Sequence, residues 1–111
     1  MSIEEIHHRL KPIIDINDPH VQIIGKLAVE DHDSHNPGEK LKFVRVVNGL
    51  KSDKYIGPGF TEVILYHLVL EAKTNEEINW TYATKLEKVY SGCLIRHVFL
   101  SFEPVLPYNK P

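Results

Sequence analysis

Residues 17–38, NDPHVQIIGKLAVEDHDSHNPG, spell one helix with a start signal at one end and a stop signal at the other. Asn17 or Asp18 can accept from the exposed N–H groups of a first turn, and Pro19 suits that turn because the N–H it lacks would go unused there. Asn36-Pro37-Gly38 ends the segment. In between, Val21, Ile24, Leu27 and Ala28 recur at three- and four-residue spacing and form one apolar stripe, while Gln22, Lys26, Glu30 and Asp33 lie mostly away from it. Gly25 inside a helix costs about 1 kcal/mol relative to Ala, so its presence predicts a close neighbour such as a strand.

Downstream, Leu41 to Leu50, Phe60 to Lys73, Ile78 to Tyr90 and Leu94 to Val105 are rich in β-branched and aromatic residues and read as strands. Ile64, Tyr66, Leu68 and Leu70 alternate onto one apolar face, and Trp80, Tyr82, Thr84 and Leu86 repeat the pattern. The links at Thr74 to Glu77 and Ser91 to Cys93 are too short for parallel crossovers, so the sheet is an antiparallel meander. One long helix packed across a four- to five-stranded antiparallel sheet is the economical arrangement, which makes an α+β domain. Upstream, residues 1–10 mix charge and histidines and read as a flexible arm, with the domain proper at 11–111.

The chain's 111 residues, 42% of them hydrophobic and 25% charged, suit one globular domain with a packed core. Thirteen basic against fifteen acidic residues, a formal charge of -2, give no field drawing the chain to nucleic acid. The apolar runs fall short of the roughly 20 residues of a membrane helix. Cys93 is the single cysteine, which rules out an internal disulfide and a four-thiolate zinc site. The opening residues carry no export signal, so the compartment stays open: cytoplasmic, or secreted if a leader has been removed. Asn79-Trp80-Thr81 would accept a glycan only in the second case.

The run Ile24-Gly25-Lys26-Leu27-Ala28-Val29-Glu30-Asp31-His32-Asp33 resembles the helix signature of the plant cystatins, departing from it at Leu27 and Asp33. Lys11-Pro12-Ile13, Asp18-Pro19-His20-Val21-Gln22, Leu41-Lys42-Phe43, Val46-Val47, His67-Leu68-Val69-Leu70-Glu71-Ala72 and Ser101-Phe102-Glu103-Pro104-Val105 also match in order, over nearly the whole chain. The resemblance implies the cystatin-like fold and a reversible, proteinaceous inhibitor of papain-like cysteine proteases that is not an enzyme and uses no cofactor and no metal. Its members insert a three-part wedge: a Gly pair in the leading arm, Gln-x-Val-x-Gly in one hairpin loop and Pro-Trp in a second. Here the Gly pair falls at His8 and Arg9, the five-residue motif at Gly59-Phe60-Thr61-Glu62-Val63, and Pro-Trp at Val89-Tyr90. Tyr55-Ile56-Gly57-Pro58-Gly59 can supply an inserted tip. The implied protease contacts are therefore His8, Arg9, Tyr55, Ile56, Gly57, Pro58, Gly59, Phe60, Thr61, Val89 and Tyr90, in an inhibitor weakened or altered in specificity.

Blander readings stand beside these. The loop from Asn48 to Gly59 can be a plain surface connection, and Tyr90 can cover the core edge. His32 and His35 are spaced to meet a transition metal, but rings in a last helical turn also answer the helix dipole. Cys93 reads as structural, since no general base is placed beside it. Two other functions remain: a cystatin-fold module that binds protein without inhibiting, and a small α+β enzyme or ligand-binding domain with a pocket near His67. The expected state is a monomer, with a domain-swapped dimer accessible through a strained hairpin loop.

Overall fold

Asp18 caps the helix as its sequence predicts: its side chain accepts from the His20 N–H at 2.9 Å, Pro19 opens the first turn, and Asn36 closes the last. The computed structural model describes residues 10–105. In chain order it contains β1 (Lys11–Pro12), α1 (Pro19–His35), β2 (Lys42–Lys51), β3 (Tyr55–Ile56), a 3-10 turn (Pro58–Phe60), β4 (Glu62–Lys73), β5 (Asn79–Ser91) and β6 (Leu94–Pro104). The strands form one antiparallel sheet in the order β1-β2-β4-β5-β6, with β3 folded back on β4. This is the expected α+β, cystatin-like meander; the two-residue strands β1 and β3 bring the count to six.

The apolar stripe of α1 lies on the sheet, but it is rotated from the one read in the sequence. Val21, Ile24, Gly25, Ala28 and Val29 are buried, and Leu27 is only half-buried. Gly25 sets this rotation, because a Cβ there would collide with Val46 Cγ2 and stand 3.1 Å from Phe43 Cε1. The helix backbone therefore rests directly on β2, as the glycine predicts.

Gln22 does not lie away from the sheet: its amide donates to the Ile16 and Val46 carbonyls at 2.6 and 3.2 Å, and its oxygen accepts from the Val46 N–H at 2.9 Å. The register of β2 on β4 shifts between Phe43 and Arg45 and again between Val46 and Asn48, and Gln22 bonds the backbone between these irregularities. Leu68, Leu70, Ala72, Leu86 and Val46 form the sealed centre of the core, while Thr84, buried among them, donates to the Ser101 carbonyl at 2.8 Å.

Candidate functional site: one end of the sheet

Strand register decides what shares an end of the molecule. Lys11 pairs with Lys51, so β1 begins beside the end of β2; Glu62 pairs with Tyr90, so the start of β4 lies beside the end of β5. The start of β1, the loop of residues 52–61 and the turn at Gly92-Cys93 consequently share one end of the sheet. His8 and Arg9 lie outside the described residues.

The loop is built rather than slack. Ser52, buried at its base, donates its N–H to the Leu65 carbonyl, while its hydroxyl accepts from the Leu65 N–H and donates to the Asp53 carbonyl, each at 2.9 Å. β3 then pairs with the first residues of β4. The Gly57 N–H donates to the Thr61 carbonyl at 2.8 Å, and the Thr61 hydroxyl to the Pro58 carbonyl at 2.9 Å, which closes the tip. Gly57 passes so close to β4 that a Cβ would meet Val63 Cγ2 at 2.7 Å.

The summit is held in a sparsely populated conformation. Gly59 has φ 69°, and Phe60 follows with φ 59°, a region that bulky residues rarely enter. Phe60 is 93% exposed and Ile56 67% exposed, so two large apolar side chains project from a fixed frame. Folding gains nothing from burying them, and exposed apolar side chains on an ordered frame make this summit the candidate contact surface.

The flank is electrostatic. The Tyr55 hydroxyl donates to Glu87 Oε2 at 3.2 Å, and burial, then the Glu87 charge and this hydrogen bond, push its pKa up to about 12. Lys54 pairs with Glu62 at 3.1 Å and sits 4.7 Å from the centre of the Tyr90 ring, with the Lys88 ammonium 5.4 Å from the same ring. Tyr90 thus acts as a platform under two cations at the root of the loop.

Counting by motif places the second loop at Val89-Tyr90, but the turn itself falls at Gly92-Cys93, where Gly92 has φ 62°. Val89 is 4% exposed and belongs to the packed interior; Val63, aligned with the last Gly of the family motif, is 3% exposed on β4. Gly57 of the loop packs against Val63, and Val89 is its direct neighbour across β4 and β5. What the turn offers instead is Leu94, 73% exposed directly after it, with the free Cys93 beside it. Residue counting missed Leu94; the signal was an apolar pair, Leu94-Ile95, following a glycine turn.

Elsewhere, His32 stacks on Phe102 with centroids 4.4 Å apart, and His35 Nδ1 lies 2.9 Å from the Asp31 carbonyl. Two clefts open near the C-terminal end of α1, and His67 lines neither.

An α+β platform that presents apolar loop summits at one end is the build of a cystatin-type proteinase inhibitor. Residues 13–105 match the sequence model of the SQAPI family, described as aspartic acid proteinase inhibitor, and the chain belongs to that family. It is also 33% identical over 92 residues, 83% of this chain and 72% of the other, to the Oryza sativa subsp. japonica protein named "Putative cysteine proteinase inhibitor 7".

Proposed function

We propose that the protein is a reversible inhibitor that plugs the active-site cleft of an aspartic proteinase with Ile56, Phe60 and Leu94, without covalent chemistry. The observation that carries this reading is the braced loop that holds Phe60 almost wholly exposed at a positive φ. An inhibitor gains affinity when its contact loop is ordered beforehand, because less entropy is lost on binding, and exposed aromatic anchors dominate such interfaces. The description of the SQAPI family supports the aspartic target.

A papain-like cysteine protease is the second reading, favoured by the name of the rice relative and by the shared end of the sheet. The side chains argue against it. A narrow cleft is approached most closely by glycine backbone; here Phe60 stands at the summit, and the position matching the motif's last glycine is Val63, inside the sheet.

Titration of pepsin in mild acid and of papain near neutrality separates the readings. The expected result is saturable inhibition of pepsin, weakened by about tenfold or more in Phe60→Ala, as a central aromatic contact requires. Inhibition of papain alone would reverse the assignment. Micromolar protein without effect on either enzyme would leave the non-inhibitory binding module.

A further inference from the structure

At the end of the sheet opposite the inhibitory loops, α1 stops short and a cleft of about 610 Å³ opens over the uncovered face. Trp80, Tyr82 and Phe102 line it, and Glu39, Lys40 and Glu76 border it. The aromatic wall is fixed: Tyr82 stacks on Phe102 at 5.0 Å between centroids, and Phe102 on His32 at 4.4 Å. Tyr82 is only 9% exposed, yet among the described residues its hydroxyl has no hydrogen-bond partner, and its oxygen is not sealed from solvent. A phenol left in this state carries a donor and an acceptor that folding has not used. Burial, and then the charge of Glu39, raise its pKa, so the proton stays on and the oxygen keeps a lone pair to offer.

These groups select among ligands. Indole and phenol faces attract cations through their quadrupoles, and two carboxylates against one ammonium leave the border net negative. An anion would be repelled, and a neutral ring would leave the carboxylates unused. Between cations, a planar guanidinium stacks on aromatic faces and still donates in its plane to phenol and carboxylate oxygens, which a compact ammonium cannot do at once, and the lining offers all three partners. The cleft also opens beside the end of β6, the last strand of the sheet, whose outer edge has no strand partner among the described residues. An extended segment lying along that edge would bring a side chain over Phe102 and Pro104.

We propose that this cleft binds the guanidinium group of an arginine side chain presented by an extended polypeptide segment. The site is independent of the protease target, since none of its residues belongs to the inhibitory loops.

Trp80 is the chain's one tryptophan, so intrinsic fluorescence reports the cleft directly. The full chain is titrated with N-acetyl-arginine amide, with its neutral isostere N-acetyl-citrulline amide, and with an acetylated Gly-Arg-Gly peptide amide. Saturable change is expected with the first and third, with the citrulline compound weaker by about tenfold, as loss of a charged hydrogen-bond donor entails. Glu39→Gln should weaken arginine binding roughly two- to fivefold while thermal unfolding and protease inhibition stay unchanged. Equal response to citrulline and arginine would reduce the cleft to an apolar hollow and overturn the proposal, as would no saturable response at all. Binding of the capped amino acid with exclusion of the peptide would overturn the polypeptide as its source.

Discussion

Phe60 is where stability and the proposed inhibition part company. A left-handed backbone costs a non-glycine residue about 1 kcal/mol or more, and Phe60 recovers none of that by burial. Phe60→Gly removes the strain and loosens the unfolded chain, two effects of opposite sign, so urea unfolding should shift by less than about 1 kcal/mol. Protease inhibition should nevertheless fall by about tenfold or more; a parallel loss of stability would show that Phe60 is structural. Gly25 poses the opposite problem. Gly25→Ala improves helix propensity by about 1 kcal/mol, yet the new methyl would collide with Val46 and Phe43. Overpacking of this kind costs about 1 to 3 kcal/mol, so the variant should unfold at lower urea. This contact was legible in the sequence because a glycine amid good helix formers has few other reasons to be there. Gln22 was not legible: its polarity suggested solvent, and only the irregular register of β2 reveals the backbone groups it serves.

At the scale of elements, α1 and the four long strands could be read from caps, alternation and short links, because each signal is local. β3 could not, since two residues carry no periodicity and its place depends on Ser52 turning inward. Ser52→Ala leaves the Leu65 N–H without its side-chain acceptor, a loss of about 1 to 3 kcal/mol if the group stays buried. Native-state hydrogen exchange should then show the Leu65 amide and the loop opening ahead of the helix. The same loop has an alkaline limit. Tyr55 is protonated in the folded state up to about 12, whereas its unfolded counterpart ionises near 10, so the folded state holds more protons between these values. Its contribution is complete below about pH 10 and is lost as pH rises toward 12. Tyr66 and Tyr82 are shifted in the same direction by burial and add to the decline. Thermal unfolding should therefore fall less steeply over this window in Tyr55→Phe than in the unaltered protein; identical slopes would show that folding does not raise the Tyr55 pKa.

For the molecule as a whole, the loop of residues 52–61 is also the link between β1-α1-β2 and the hairpins that follow. If it straightened, β2 and β4 would run on as one long strand, and the helix half of one copy could pack on the sheet half of another with the same contacts it makes at home. Opening releases the left-handed strain at Phe60 but gives up the Ser52 hydrogen bonds and the pairing of β3 with β4. These terms are intramolecular and oppose one another, so the balance falls to concentration and to passage through a partly unfolded state. Refolding from intermediate urea at high protein concentration should yield a dimer by light scattering. Phe60→Gly, with less strain to release, should lower its yield, and Ser52→Ala, with less to lose, should raise it. Because extension consumes the summit, the isolated dimer should no longer inhibit the protease that the monomer inhibits. A dimer with full inhibition would place the exchange elsewhere in the chain, and monomer alone under every refolding condition would show that the Ser52 brace outweighs the strain.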